Sequence, residues 1–268
     1  MEQDVMVEEE LLAGGVANAG AVTRVGDHVM RPSNPHSLSI HRFLSAVRAH
    51  GFEGVPQPLR IDDDGRERLK FIPGDVAVPP FPAWAQADDA LTSASALIRR
   101  FHDASRGLDL SSSGWSEEMA DPAGGPVICH NDVCLENVVF HKGTAIGLLD
   151  FDFAAPGRAV WDLARFAAMC VPLDDDADAA RLGWLPADRP ARVRLVADAY
   201  GLKLRDRHEL LSILDGLVAR SGAWVLSKVE AGDPNFTKMW NELGGMSRHD
   251  RRRQWWAANR HRVQSALD

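Results

Sequence analysis

Apolar positions in the first quarter of the chain come in short runs separated by turn residues. In "GGVANAGAVTRVGDHVMRP" a glycine-rich turn precedes two such runs, which flank Gly26-Asp27; this predicts two strands joined by a tight turn. The pattern then changes period. "HSLSIHRFLSAVRAHGF" sets Leu38, His41, Phe43, Leu44 and Val47 at near-helical spacing, with Gly51 placed to end the helix. "PQPLRIDDDGRERLKFIPGD" reads as a hairpin around an Asp-Gly turn. The proline-rich "AVPPFPAW" breaks the pattern, so a boundary is expected near Gly74, dividing the chain into lobes 1–74 and 75–268. Beyond it the period is helical. Leu91, Ala94, Leu97, Ile98 and Phe101 form one stripe, and Leu210, Leu214, Leu217, Val218 and Val225 another. One β segment, around residues 127–150, interrupts these helices. The expected class is α+β: a small β-rich lobe followed by a larger, mostly helical one.

Composition narrows the function more than the fold. The 268 residues are 45% hydrophobic and 25% charged, an ordinary globular balance. No apolar run in the sequence reads as a membrane span. The acidic start "MEQDVMVEEELL" lacks the basic segment of a secretory signal, so a cytoplasmic location is expected. A net charge of −8 disfavours nucleic acid as a partner. The basic run "RHDRRR" reads as a solvated helix face. Three cysteines, Cys129, Cys134 and Cys170, give neither a disulfide framework nor a repeated CxxC.

The chemistry is concentrated in "CHNDVCLENVVF", residues 129–140. Cys129, His130 and Cys134 could begin a zinc site, but no second ligand pair of suitable spacing follows. Neither a GxSxG nucleophile elbow nor a GxxxxGK[ST] phosphate loop is present. The continuation "HNDVCLENVVFHKGTAIGLLDFD" reads as a hairpin. With Gly143-Thr144 at the turn centre, Asn137 falls opposite Asp150, bringing an amide oxygen and a carboxylate together at the open end. Hard oxygen ligands of this kind suit Mg²⁺. Asp132, in the loop entering the hairpin, faces the same space as a base. A base, an amide ligand and a carboxylate ligand are the minimal set for phosphoryl transfer to a hydroxyl. His130-Asn131-Asp132, Asn137 and Asp150-Phe151-Asp152 also fill the places of the protein-kinase HRD…N…DFG signature.

These motifs, with "LLDFDFAAPGRAVWDLA", resemble the aminoglycoside phosphotransferase / choline kinase-like family, small-molecule kinases with a protein-kinase-like fold. The resemblance runs from about Gly14 to Leu173. It implies a bilobal fold, ATP and Mg²⁺ as cofactors, Asp132 as catalytic base, and Asn137 and Asp150 as metal ligands. It further implies that Asp162 braces the catalytic loop, that His130 orients it by hydrogen bonding, and that Asp152 is structural or assists the metal. Gly14, Gly15 and Gly20 resemble a phosphate-covering loop, and the backbone around Phe71 and Ile72 resembles the adenine-binding segment.

The N-terminal lobe departs from the family pattern. Such kinases hold the phosphates with a strand lysine paired to a helix glutamate. Here Arg31 stands at the lysine's place, and the helix offers His41, with no acid between Asp27 and Glu53. The altered clasp leaves two readings open: an ATP-dependent kinase of a small hydroxyl compound (an antibiotic, sugar or amino alcohol), or a nucleotide-binding pseudokinase. Only "DFDFAAPGRAVW" separates Asp150 from the next helix, too short for a protein-substrate docking segment. The run "PLDDDADAA", with Asp174, Asp175, Asp176 and Asp178, reads either as an attractor for a cationic substrate or as a solvated loop. Trp240, Trp255 and Trp256 read as core or as pocket wall. No residue pattern names the acceptor or the oligomeric state.

Overall fold

The computed structural model of the chain describes residues 9–12, 15, 18, 20–108 and 114–268; Gly14 lies outside them. Five strands come first: β1 (Glu9–Leu11), β2 (Thr23–Val25), β3 (His28–Pro32), β4 (Pro58–Ile61) and β5 (Arg66–Lys70). They form one antiparallel sheet in the order β1-β2-β3-β5-β4. The turns are those expected. Gly26 and Gly65 take positive φ, 63° and 80°, where a Cβ would be strained. Helix α1 (Ser37–Ala49) connects β3 to β4 and buries Ile40, Phe43, Leu44 and Val47. That i, i+3, i+4, i+7 set corrects the predicted stripe: Leu38 is exposed, and His41 turns toward a sheet carboxylate instead.

The remaining chain is helical around a small β insert. Helix α2 (Asp88–Ser105) buries Leu91, Ala94, Leu97, Ile98 and Phe101, the whole predicted stripe. Four strands follow, not a single hairpin. β6 (Val127–Cys129) pairs with β9 (Ala155–Gly157), and β7 (Val138–His141) pairs with β8 (Thr144–Leu148). Three-residue strands such as β6 and β9 are too short to show a period, which is why the sequence pattern hides them. Helices α3 (Ala159–Cys170), α4 (Asp176–Arg181), α5 (Arg189–Tyr200), α6 (Leu204–Ala219), α7 (Ala223–Glu230), α8 (Pro234–Glu242) and α9 (Gly245–Leu267) complete the fold. Asp188 and Asp233 cap α5 and α8 by accepting backbone N–H bonds, each with a proline in the first turn. Val225 falls in α7, because Gly222 in a left-handed conformation (φ 85°) breaks the predicted stripe after α6. The segment Leu204–Glu230 is apolar and long enough for a membrane span by length and composition alone. In this fold α6 packs against α3 and α9.

Packing decides three further expectations. The basic run of α9 is not a solvated face: Arg248 pairs with Asp174 at 2.9 Å and Arg251 with Asp178 at 2.7 Å. Arg252 donates to the carbonyls of Leu173 and Ala168. The acidic run is therefore tied to α9 by Asp174 and Asp178, the latter also held by Arg181, while Arg189 takes Asp176 at 2.8 Å. Asp174 and Asp178 are buried in these pairs, whereas Asp176 stays exposed. Trp256 is buried and donates to Asp215 at 2.9 Å, Trp240 stacks on His249, and Arg189 lies over Trp255.

The segment joining sheet to helices is pinned to the β insert. Asp75 and Phe140 exchange backbone hydrogen bonds of 2.8 Å in both directions. A Cβ on Gly74 would lie 2.5 Å from the Phe140 carbonyl oxygen, so only glycine allows this approach. The hairpin that carries the candidate chemistry is thus attached directly to the chain linking the two halves.

Candidate active site

Three short elements meet beneath the five-stranded sheet: the loop after β6, the start of β7 and the segment after β8. The hairpin register differs by one position from the sequence expectation. The turn is at Lys142-Gly143, Val138 pairs with Leu148, and a bulge lies between Val139 and Phe140. Leu149, not Asp150, lies opposite Asn137, its N–H donating to the Asn137 carbonyl at 2.8 Å. Asp150 still reaches the site because its backbone turns sharply, with φ 60°. Asp tolerates this left-handed conformation better than most residues.

The loop 130–132 is held from below. Asp162, fully buried in the first turn of α3, accepts the N–H groups of His130 and Asn131, each at 2.8 Å. Its Oδ2 also meets His102 Nε2 at 3.0 Å, and His102 Nδ1 meets the Tyr200 hydroxyl at 2.8 Å. Burial works against the Asp162 charge, yet the His102 bond and the surrounding donors keep its pKa below the ordinary value. Asn131 takes a left-handed φ of 66°. Trp161 donates to its side-chain oxygen at 3.0 Å, and its amide donates to the Phe153 carbonyl at 2.8 Å. His130 accepts the Asp132 N–H on Nδ1 at 3.2 Å, so Nε2 carries the hydrogen and donates to the Leu149 carbonyl at 2.7 Å. Burial lowers the His130 pKa, consistent with a neutral ring that bridges loop and hairpin. Phe151 packs among Phe43, Phe101 and His130, anchoring the segment that carries Asp150 and Asp152.

On this frame Asp132 and Asn137 face each other. The Asn137 amide donates to the Asp132 carbonyl at 2.8 Å and to its carboxylate Oδ2 at 3.2 Å, which leaves the Asn137 side-chain oxygen to accept. The Asp132 pKa is pushed up to about 7, first by burial and then by the Asp150 charge. Arg165, whose own pKa burial lowers, opposes that rise from behind the loop, where it donates to the Asn131 carbonyl.

A cavity of about 410 Å³ lies between the sheet and this loop. Leu12, Val22, Val29, Leu69, Phe71, Ile72, Val76, Val139 and Leu149 give it apolar walls; Arg31, Asn137 and Asp150 line it as well, as do Glu10, Asn18, Arg24, Lys70 and Glu136. Gly15 also lines it, and a Cβ there would sit 3.9 Å from Asp150 Oδ2. Gly20 is exposed at a turn with φ 76° and is not on the cavity wall. Arg24 stacks over Phe71 at 3.9 Å.

Arg31 is buried and is not the partnerless cation the sequence suggested. It reaches Asp150 Oδ1 at 3.0 Å, contacts Asp152, and lies 2.8 Å from Glu67 Oε1. Burial alone would lower its pKa, but Asp150, Asp152 and Glu67 together carry it above the ordinary value. Burial and the Asp150 charge raise the pKa of Asp152. The acid missing from α1 comes from β5, which sequence reading overlooked. The signal was register: Glu67 is the direct cross-strand partner of Arg31. His102, Tyr200, Arg165 and Glu136 were overlooked as well.

Cys129 is buried with Sγ against the Arg158 carbonyl, and Cys170 with Sγ toward the Val133 carbonyl. Burial raises the pKa of all three thiols. His102, Cys129 and Asp162 do lie close enough together to share an ion, but all three are fully buried and already engaged in the bonds described above. The packing role is the simpler one.

A small antiparallel sheet with one helix, a pinned linker, and a helical half carrying the loop and hairpin define a bilobal, protein-kinase-like fold. The family comparison agrees. The profile of the phosphotransferase enzyme family (APH) matches residues 113–196. The trifolitoxin immunity protein of Rhizobium leguminosarum bv. trifolii is 34% identical over 208 residues, 75% of this chain and 77% of that protein. The chain belongs to the phosphotransferase enzyme family, and with it to the small-molecule kinases. Among solved structures, a choline/ethanolamine kinase family protein from Mesorhizobium loti superposes with TM-score 0.64 at 15% identity, covering 99% of this chain and 94% of that one. An amicoumacin kinase in complex with AMP-PNP and Ca²⁺ superposes with TM-score 0.62 at 10% identity, over 88% and 86%.

Proposed function

We propose that this chain transfers the γ-phosphoryl group of ATP to a hydroxyl of a small molecule. The observation that carries the reading is that Arg31, Asn137 and Asp150 line one cavity, with the Asp132 carboxylate hydrogen-bonded to Asn137 beside it. Adenine fits the apolar end, against Phe71 and Ile72, with the phosphates running under Gly15 toward Arg31. We take Gly74 as the boundary between lobes 1–74 and 75–268; the bridge from Asp75 to Phe140 supports that division.

The donor set suits Mg²⁺. Asn137 presents an amide oxygen and Asp150 a carboxylate oxygen beyond the one bound by Arg31, both on the cavity wall. Asn137 and Asp150 would hold the ion, which when bound neutralises charge on the phosphates. Asp132 takes the hydroxyl proton as the oxygen–phosphorus bond forms and the bond to the β-phosphate oxygen breaks. His130 and Asp162 keep its loop in place. Arg31, held by Asp150 and Asp152, would place its positive charge and remaining N–H groups beside the phosphates.

The acceptor is a small hydroxyl compound: an antibiotic, a sugar or an amino alcohol. A relative named for trifolitoxin immunity supports a role in resistance to an antibiotic. ATP as donor fits a cytoplasmic location. The pseudokinase reading was motivated by Arg31 in the lysine's place and by a missing helix carboxylate; Glu67 supplies a carboxylate from the sheet, which weakens the second motive. The deciding experiment incubates the purified chain with Mg·ATP and a panel of aminoglycosides, amino alcohols, sugars and hydroxylated peptide antibiotics. ADP release and phosphorus NMR report the products. A phosphorylated product from one class is the expected result; nucleotide binding with no acceptor turned over would leave a pseudokinase.

Arg31→Ala is expected to raise the KM for ATP at least roughly tenfold and to lower kcat, since phosphate positioning matters in the transition state. Arg31→Lys does not restore it, because one ammonium cannot replace a planar fork that meets several carboxylates. Steady-state kinetics across an ATP titration measure this, and wild-type behaviour of Arg31→Ala would remove the phosphate role.

A further inference from the structure

The contact between Arg31 and Glu67 joins two strands, and its geometry differs from a strand–helix clasp. Arg31 on β3 and Glu67 on β5 are directly opposite in the antiparallel register. Both side chains are largely shielded, 9% and 5% exposed. The Glu67 carboxylate is divided between two partners. Oε1 lies 2.8 Å from Arg31 Nε, and Oε2 accepts a 2.7 Å hydrogen bond from His41 Nε2 on α1. The Arg31 Nε hydrogen is not aligned on Oε1, so that contact is Coulombic rather than directional. The two terminal nitrogens of the same guanidinium bond to Asp150, on the cavity wall, and to Asp152. One end of the arginine is thus held by the sheet while its fork faces the candidate phosphate site.

We infer that Glu67 and His41 are positioning residues for nucleotide binding: Glu67 aims the Arg31 fork from within the sheet, and His41 fixes the Glu67 carboxylate from the helix. The inference rests on the proposed placement of the nucleotide phosphates at Arg31. It differs from a clasp in which the helix supplies the acid, because the orienting charge here belongs to the sheet. Displacing α1 removes one hydrogen bond to Glu67 and leaves the cross-strand pair intact. Nucleotide affinity therefore depends strongly on Glu67 and weakly on His41.

The test is calorimetric affinity for Mg·AMP-PNP, with a thermal melt on each protein. Glu67→Gln keeps the shape and the hydrogen-bond capacity toward His41 but removes the charge. It is expected to weaken binding about tenfold, and less than about twofold when Arg31 is already Met, because coupled residues are not additive. His41→Leu is expected to weaken binding about threefold to fivefold, the scale of one hydrogen bond, and to have no effect once Glu67 is Gln. This second cycle leaves Arg31 untouched, so it stands even where Arg31→Met does not fold. Wild-type affinity in Glu67→Gln, equal losses in both backgrounds of either cycle, or a larger loss from His41→Leu than from Glu67→Gln would each overturn the inference. The kinase reading is scored separately. If the cycles show coupling while the wild-type chain phosphorylates no hydroxyl compound, the positioning role stands and the catalytic reading falls.

Discussion

Replacing Asp132 with asparagine is expected to lower kcat by ~10²- to 10⁴-fold, the usual contribution of a general base, while nucleotide affinity stays near wild type. In the proposed reading Asp132 meets the acceptor hydroxyl, whereas Arg31 and Asp150 meet the phosphate end. The pH profile carries the same assignment. With its pKa pushed up to about 7, Asp132 is largely protonated below neutrality and ionised above it. The kcat/KM of the wild-type chain therefore falls about tenfold per pH unit below pH ~7 and levels off above it. Stability moves the opposite way. A carboxyl whose pKa rises from 3.8 to about 7 on folding binds its proton more tightly in the folded state. The folded protein loses stability as pH rises from ~4 to ~7, and the loss is complete above that window. Asp132→Asn removes the titration. At pH 8 it should melt at least about 2 °C above wild type, the shift of ~1 kcal/mol in a domain of this size, with the gap closing as pH falls toward 4. Turnover and melting curves at four pH values test both limbs. A variant with wild-type turnover of a confirmed acceptor would reassign the base.

Asp150→Ala is expected to abolish the Mg²⁺-dependent part of nucleotide binding and to reduce turnover by roughly 10³-fold or more. A metal ion contributes several kcal/mol of charge stabilisation, and each 1.36 kcal/mol is a factor of about ten. The side chain has two tasks, one oxygen toward Arg31 and the other toward the cavity. On the proposed assignment its loss would leave Asn137 as the single direct hairpin ligand; it leaves Arg31 to Asp152 and Glu67. Calorimetric titration of ATP with and without Mg²⁺ isolates the metal contribution. If the Mg²⁺ increment survives in Asp150→Ala, the carboxylate ligand lies elsewhere, and Asp152 is the next candidate.

Local pattern accounts for much of this protein. The helical stripe of α2, the Gly26-Asp27 and Asp64-Gly65 turns, and the β7–β8 hairpin each follow from a short window of residues. The clustering of His130, Asp132, Asn137, Asp150 and Asp162 was legible for the same reason: all five lie within one stretch of strand, loop, hairpin and helix start. Even the misread register cost little. Asp150 reached the cavity through a left-handed backbone instead of a cross-strand pairing with Asn137.

Residues that meet across long loops were not legible. Glu67 faces Arg31 only because β5 inserts beside β3, after α1 and β4 have intervened. His102 and Tyr200 reach Asp162 from α2 and α5, and the basic run of α9 reaches Asp174 and Asp178 around α4. The sequence by itself determined the class of fold, its turns and the set of groups capable of phosphoryl-transfer chemistry, because periodicity and turn chemistry act over a few residues. Only the tertiary structure decided which charges are neutralised, which histidine is buried, and which acid lies beside Arg31. Electrostatic partners are chosen by distance in space, and burial makes that choice expensive to leave unmet.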